Sequence, residues 1–501
     1  MPADFLIGTD KLRVFVESSP AIYEEEYTTG GFKLRARQSR VKSAATKQAL
    51  ADTPCDIFVD AMSGAGRGKL AQMLAVRGGQ AAPEAPFVIE HREALIYMLC
   101  EAAELEHGIM CEYLFAAFSM KDASDDLTAA QQEAVARWQS AILGIAGEEM
   151  MHLALVQNLL SAVGAAPHLV RPNLPAPAGH YPAGVRLALL PFGEDALRHF
   201  MYLERPEGMD LDDAEGFAAM GRAAPNMEPG EIVPRLQDFA TVGHLYRSIE
   251  AGVRHLADKY GESTLFIGPP KAQATTAHFG WPQLIPVTDV RSAVQAIETI
   301  VEQGEGPRSH WRDAHFGRFV QILDEYRERR DADAGFSPAR PVMAANVRLP
   351  EHEGAVPLIE DRLTARCADL FNVAYEVLLQ LLHRYFAHTE ESDAELGTLA
   401  DVAVGLMMDV IGPLGKLVTT LPVGPSHPGR TAGPSFELFY ESDYLLPHRR
   451  AAWTLIRERL QEAVLFCARI HGDARVNESI AAAGAALNRF ANRLVVEGGA
   501  A

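Results

Sequence analysis

The stretch "GEEMMHLALVQNLL" at residues 147–160 decides the fold, because it places Glu-x-x-His inside a strongly apolar helical pattern. Apolar residues recur here every three or four positions, which predicts a helix over residues 129–163. Continuing the same spacing puts Glu149 and His152 on the buried face of that helix, with Glu148 beside that face. A buried carboxylate without a partner is costly, so the pair needs either hydrogen bonds or a bound cation.

Three other predicted helices carry an acid where an apolar residue belongs. These acids are Glu106 on the first helix, Glu250 on the third and Glu305 at the end of the fourth. Carboxylates that converge in a dry bundle repel one another unless cations lie between them. This ligand set is that of di-iron and di-manganese bundles, so we expect one or two iron ions, with manganese as the alternative metal.

The fourth helix departs from this ligand pattern. Glu305 is not followed by histidine at the third position, which is Arg308. Three residues are therefore alternatives for completing the site: His315, brought back by a turn in the chain, His310, and Glu302 as part of an all-carboxylate pair. The number of metal ions stays open for the same reason.

Two tyrosines lie on the same helix faces as the predicted ligands. Tyr113 shares the face of Glu106, and Tyr246 shares the face of Glu250. A phenol beside a metal site can hydrogen-bond a ligand, so we take both tyrosines as candidate catalytic residues. Simple packing in the core is the alternative role for each.

Loop lengths decide how the helices connect. About ten residues join the first two helices, whereas roughly seventy separate the second from the third. A long crossover at that place is the ferritin-like connectivity, as distinct from a simple up-down bundle. The fold class is therefore predicted as mainly α, with a ferritin-like four-helix bundle. The predicted bundle helices lie at residues 90–118, 129–163, 235–260 and 289–305.

The chain is predicted to have three parts. Residues 1–88 form a small segment with some β structure, including short strands at residues 12–18 and 31–38. Residues 89–335 hold the ferritin-like metal-binding bundle. Residues 336–501 contain four further helical patterns and form a second, C-terminal helical bundle.

Composition limits the partners. A formal net charge of −20 over 501 residues disfavours nucleic acid. The five cysteines are scattered and form no CxxC, which favours a reducing cytoplasm over a disulfide framework or a zinc cluster. No signal-peptide pattern or membrane span is predicted. We expect a cytoplasmic protein whose partners are a small-molecule substrate and oxygen or peroxide, and a homo-oligomer is compatible with the sequence.

Several blocks of sequence resemble a known family. They are "AAELEHGIMCEYLFAAFSMKD", "EEMMHLALVQNLLSAVGAAPHL", "PFGEDALRHFMYLERPE", "TVGHLYRSIEAGVRHL", and "AIETIVEQGEG" followed by "HFGRF". Together, over about residues 90–330, they resemble the ferritin-like domain of the iminophenyl-pyruvate dimer synthases of violacein and rebeccamycin-type pathways. The resemblance implies iron-dependent oxidative coupling of imines derived from amino acids. It places metal ligands at Glu106, Glu149, His152 and Glu250, and around Glu305 and His315.

Three functions remain as hypotheses. The first is an oxidoreductase that uses a reduced metal site to oxidise a small organic substrate. The alternatives are iron storage with ferroxidase activity, and a non-catalytic scaffold stabilised by metal. The inward-facing positions also predict that Glu149→Ala abolishes tight metal binding while Glu148→Ala leaves it nearly intact.

Overall fold

The computed structural model describes four N-terminal strands by their backbone, and most of residues 84–495. Within the second range the undescribed positions are 178, 183–184, 210, 215–226, 229, 306–311, 345–357, 440–444, 446 and 471.

The N-terminal strands form one antiparallel sheet. Its order follows the chain, β1-β2-β3-β4, and each strand pairs with its sequence neighbour. The two strands predicted from the sequence correspond to β2 and β4, so the expectation of some β structure in this segment agrees with the sheet. The strands are β1 (Asp4–Gly8), β2 (Lys11–Ser18), β3 (Ala21–Thr28) and β4 (Gly31–Ala36).

Four long helices form the bundle that carries the site. The first is buried on nearly every side, as expected for a helix at the centre of a large core, and it packs most extensively against the second. The second begins with a capping box at Thr128, and the last of the four begins with one at Asp289. The bundle helices are α1 (Arg92–Ser119), α2 (Ala129–Ala162), α4 (Val242–Tyr260) and α5 (Val290–Gly304).

The long crossover contributes a further helix to this region. Helix α3 (Glu194–Leu203) lies between α2 and α4 in the chain and packs against α6 (His315–Ala332). The contact is aromatic: the rings of Phe200 and Phe319 have centroids 5.2 Å apart, and Tyr113 of α1 lies 4.7 Å from Phe200. The pair α3 and α6 is therefore anchored against the bundle at the level of the site.

The C-terminal helices share one hydrophobic core with the bundle. A Cβ atom on Gly415 would lie 2.6 Å from the Phe118 ring, which shows how closely the two parts approach. Buried Arg340 donates a hydrogen bond to the Met120 carbonyl at the end of α1, and to the carboxylate of Asp125. The helices are α7 (Arg362–Phe386), α8 (Asp393–Leu406), a π-helical turn (Met407–Ile411), α9 (Gly412–Val418), α10 (Arg449–Ile470) and α11 (Asn477–Arg493).

The bounds of the four bundle helices lie close to those predicted from the sequence. The mainly helical, ferritin-like fold class is confirmed. The largest difference from the predicted bounds is at the start of the third bundle helix. This helix was expected to begin near residue 235, but it begins at Val242, because Thr241 caps its first turn. No helix in the described ranges combines enough length and apolar character to cross a bilayer.

One buried ion pair in the C-terminal part supports a stability prediction. Arg384 is 1% exposed and donates two hydrogen bonds of 2.6 Å to Glu391, which also accepts from the indole of Trp453. Removing one partner leaves the other charge buried, so Glu391→Ala should lower the free energy of unfolding by about 3 kcal/mol. Urea denaturation at neutral pH measures this change, and Glu390→Ala, at an exposed neighbour, is the control.

The same pair predicts a pH dependence. Burial alone would raise the pKa of Glu391, but hydrogen bonds from Arg384 and Trp453 lower it from 4.5 to about 2. Since the folded pKa lies below the unfolded value, the stabilisation is present above pH 4.5 and is lost as the pH falls towards 2. The stability difference between the wild type and Glu391→Ala should therefore shrink over that window. A difference that stays constant with pH would contradict this assignment.

Candidate metal centre

Buried acids and imidazoles from four elements meet at one place in the bundle. Glu106 lies on α1, and Glu149 and His152 lie on α2. Glu204 caps the C-terminal end of α3, and His315 is the first residue of α6. The least buried of them, Glu204, is only 7% exposed. Glu149 and His152 are three residues apart on one helix and therefore project from the same face.

The first group of donors consists of Glu106, Glu149 and His152, and we call it the first half-site. His152 Nδ1 lies 3.0 Å from Glu149 Oε2 and 3.5 Å from Glu106 Oε2. The phenol of Tyr246 on α4 donates a hydrogen bond to Glu106 Oε1. The ligand atoms of this half-site lie within 4.8 Å of one another, so one metal ion could contact all three side chains.

The second half-site consists of Glu149, Glu204 and His315. His315 Nδ1 lies 2.7 Å from Glu149 Oε1 and 3.4 Å from Glu204 Oε1. Tyr113 donates a 2.5 Å hydrogen bond to Glu204 Oε1. Glu149 therefore presents one oxygen to each half-site, and its carboxylate would be shared between them if both held a metal ion.

The outer nitrogens of the two imidazoles have separate partners. His315 Nε2 donates to Glu148 Oε2 at 2.8 Å, and His152 Nε2 donates to Gln303 Oε1 at 2.8 Å. An ionised carboxylate can only accept, so the His315 proton lies on Nε2 and its Nδ1 faces the carboxylate of Glu149. Two acceptors in contact need a positive ion between them, which is either a second proton or a metal ion. The donor set fits a divalent metal.

The electrostatics of the cluster agree with this requirement for positive charge. Burial, together with the neighbouring Glu149 carboxylate, raises the pKa of Glu106 to about 8. Burial alone would also raise the pKa of Glu149, but His315 and His152 hold it well below its usual range. Burial would lower the pKa of His152, yet Glu149 and Glu106 raise it to about 10. Without metal, the cluster therefore retains protons that bound cations would displace.

The structure brings together four of the six residues predicted as ligands: Glu106, Glu149, His152 and His315. The inward orientation predicted for Glu250 is wrong. Its side chain is 26% exposed and forms an ion pair with Arg254 one turn along α4, at 2.8 Å.

Glu305 lies near the cluster but not in either half-site. It ends α5, accepts a hydrogen bond from the Glu207 backbone N–H at 2.8 Å, and packs against Gly243, where a Cβ atom would lie 2.6 Å from its Oε1. Of the alternatives for completing the site, His315 lies in the cluster, Glu302 is exposed, and His310 falls outside the described residues.

Sequence reasoning missed two groups at the site. Glu204 continues the buried face of α3 that includes Leu197 and Phe200, at spacings of seven and four residues. The helical periodicity that indicates Glu106 therefore also indicates Glu204. Glu148 was predicted to lie beside the buried face and not among the ligands, and it accepts a hydrogen bond from His315 and also pairs with Arg318.

A small cavity adjoins the cluster. Its volume is about 20 Å³, which is room for about one water molecule. Glu106, Glu149 and Glu204 line it together with the glycine backbone at Gly243 and Gly304. A Cβ atom at Gly304 would lie 3.2 Å from Glu204 Oε2, so glycine keeps this side of the cluster open.

Comparisons with known proteins agree with the fold and confirm the resemblance. Residues 99–324 match the family model described as ferritin-like. The chain is 28% identical over 422 residues to dichlorochromopyrrolate synthase of Lentzea aerocolonigenes, covering 76% of this chain and 39% of that protein. It is 30% identical over 377 residues to 2-imino-3-(indol-3-yl)propanoate dimerase of Chromobacterium violaceum, covering 70% of this chain and 34% of that protein.

The chain thus spans little more than a third of the length of these two relatives. Among solved structures, a ferritin-like protein from Caulobacter vibrioides aligns with 63% of this chain and 96% of its own. The TM-score is 0.38 at 18% identity, a similarity too low to carry an argument.

Proposed function

We propose, from the ferritin-like domain that residues 99–324 form, that this protein is a metal-dependent oxidoreductase acting on a small organic substrate. The observation that supports this most strongly is the pair of donor groups that share Glu149. Each group combines carboxylate and imidazole, the ligands that iron and manganese accept. A buried cluster with this composition is typical of catalytic di-metal bundles.

The residues of the two half-sites would hold the metal ions. Bound iron would supply electron transfer between the substrate and oxygen or peroxide. Glu149 would offset positive charge in both half-sites, while the surrounding bundle keeps bulk water away from the cluster. Tyr246 and Tyr113 would fix the carboxylates of Glu106 and Glu204 through their hydrogen bonds.

The substrate class comes from the names of the relatives. One relative is named for joining two molecules of 2-imino-3-(indol-3-yl)propanoate, and the other for making dichlorochromopyrrolate. We extend this to the present chain as oxidative coupling of two imines derived from amino acids. Two imines lose two hydrogens as the new bond forms, and oxygen or peroxide accepts the two electrons and two protons.

The test uses metal-free protein reloaded anaerobically with Fe²⁺. It is supplied with 2-imino-3-(indol-3-yl)propanoate, generated in place from tryptophan by an amino-acid oxidase. Mass spectrometry should detect a product with the mass of two imines less two hydrogens. That product should be absent when the metal-free protein or the oxidase alone is used. Iron loading without any coupled product would refute the coupling proposal, and hundreds of irons per particle would indicate storage instead.

The tyrosines give a separate prediction. Tyr246→Phe removes the phenol that donates to Glu106 but keeps the ring that fills the core. Loss of such a supporting hydrogen bond should lower metal affinity or turnover by about tenfold or more, without changing the number of ions bound at saturation. Metal analysis and single-turnover kinetics measure the two effects. Unchanged affinity and turnover would leave Tyr246 as a packing residue.

A further inference from the structure

The two half-sites are closely matched in composition. Each has one carboxylate of its own, Glu106 or Glu204, and each of these accepts a hydrogen bond from a tyrosine. Each has one imidazole that points its Nδ1 at the shared carboxylate of Glu149. On these inner ligands alone, two bound ions would have nearly equivalent surroundings.

The half-sites differ in the group behind each imidazole. The acceptor of the Nε2 proton is the charged carboxylate of Glu148 for His315, but the neutral amide oxygen of Gln303 for His152. Both hydrogen bonds measure 2.8 Å, so the difference between them is one of charge and not of length. Glu148 is also held in place by Arg318, one turn along α6 from His315.

This difference changes the imidazole as a ligand. A carboxylate that accepts from one ring nitrogen raises the basicity of the opposite nitrogen, and hydrogen bonds to ionised acceptors are about twice as strong as those between neutral groups. Arg318 reduces the net charge of Glu148 but also fixes its carboxylate, so the charged hydrogen bond to His315 is retained. The neutral amide of Gln303 polarises the His152 ring less than the Glu148 carboxylate polarises the His315 ring.

We infer that the two metal positions are unequal, that the half-site with His315 takes the first divalent ion, and that Glu148 and Gln303 are the positioning residues that set this order. The inference rests on the proposed metal binding. It differs from the expectation drawn from the sequence that Glu148→Ala leaves metal binding nearly intact. A group that hydrogen-bonds a metal ligand from behind typically changes the metal affinity by about 10–100-fold.

The experiment uses Co²⁺ as the probe with metal-free, full-length protein. Two adjacent cations repel each other, so the second ion binds more weakly whatever the ligands are. The position of the first ion is therefore the deciding observation. Crystals grown with one equivalent of Co²⁺ and measured at the cobalt absorption edge should place the ion in the half-site with His315.

Two variants, each of which exchanges a charged for a neutral acceptor or the reverse, test whether the group behind each imidazole sets the order of metal binding. Glu148→Gln should weaken binding of the first ion by about 10–100-fold and spread one equivalent of Co²⁺ over both half-sites. Gln303→Glu should strengthen the half-site with His152 and likewise reduce the preference. Glu250→Gln, a change to an acid outside the cluster, is the matched control and should behave as wild type. Calorimetric titration gives the affinities, and the visible spectrum of Co²⁺ reports its ligand field.

The outcomes separate this inference from the proposed function. If wild-type protein binds two Co²⁺ ions but both exchange variants load like wild type, the inference is wrong and the metal centre stands. The same conclusion follows if the first ion lies in the half-site with His152. If wild-type protein binds no ion at the cluster, the proposed function and this inference both fall.

Discussion

Glu149→Ala should leave the purified protein with almost no tightly bound metal. Glu149 contributes one oxygen to each half-site, so its removal takes a ligand from both positions at once. It also removes the anion that offsets two adjacent cations, and the electrostatic cost of bringing them together rises accordingly. Metal analysis after anaerobic loading and desalting measures the effect, and coupling activity should disappear with the metal.

The control for this prediction is Glu250→Ala. It removes an acid from another helix of the same bundle, but that acid is partly exposed and pairs with Arg254. Circular dichroism of both variants in the metal-free state shows that the helices are retained. If Glu149→Ala and Glu250→Ala hold as much metal as wild type, the metal centre has been assigned to the wrong residues.

Glu204→Gln should reduce the metal content by about half. This change removes a carboxylate from the second half-site and leaves the side chains of the first half-site untouched. One ion should remain, held by Glu106, Glu149 and His152. Turnover should fall as well, by at least the roughly 10- to 100-fold that loss of a supporting group costs at a metal site.

The matched control is Glu305→Gln. Glu305 was the ligand predicted from the sequence in this part of the chain, and it lies next to the same cavity. Its carboxylate accepts from the Glu207 backbone and belongs to neither half-site. Metal content should stay at the wild-type value. Loss of one ion in Glu305→Gln with none lost in Glu204→Gln would restore the sequence-based prediction.

Helical periodicity accounts for what the sequence predicted correctly. On α1 and α2 the apolar stripes are long, so Glu106, Glu149 and His152 stand out as polar members of a buried face. The same periodicity, with the long crossover, also specified the ferritin-like connectivity. These features depend on local spacing, which is fully present in the sequence.

Periodicity failed where a position lay at the edge of its stripe. On α4 the buried face runs through Tyr246, Ile249 and Val253, and Glu250 lies beside it. An apolar stripe is about 100° wide, so spacing alone does not decide whether an edge residue points inward or outward. Here Arg254, one turn along the helix, pairs with Glu250 at the surface.

The second half-site depends on tertiary contacts that spacing does not encode. Glu204 ends a helix of ten residues inside the crossover, and His315 is the first residue of α6. Glu204 and His315 reach the site because α3 and α6 pack against each other, and because Tyr113 of α1 contacts Phe200 of α3 and Phe319 of α6. Such long-range docking is set by side-chain complementarity, here the aromatic contacts around Phe200, and not by any local pattern.

The most direct test of the metal centre is a crystal structure of the iron-loaded protein, with data measured on both sides of the iron absorption edge. The centre described here predicts two iron ions at the cluster, one on each side of Glu149, with His152 and His315 bound through Nδ1. A map without iron there, in which protons alone hold the imidazoles against the carboxylates, would contradict it. So would iron bound elsewhere in the chain.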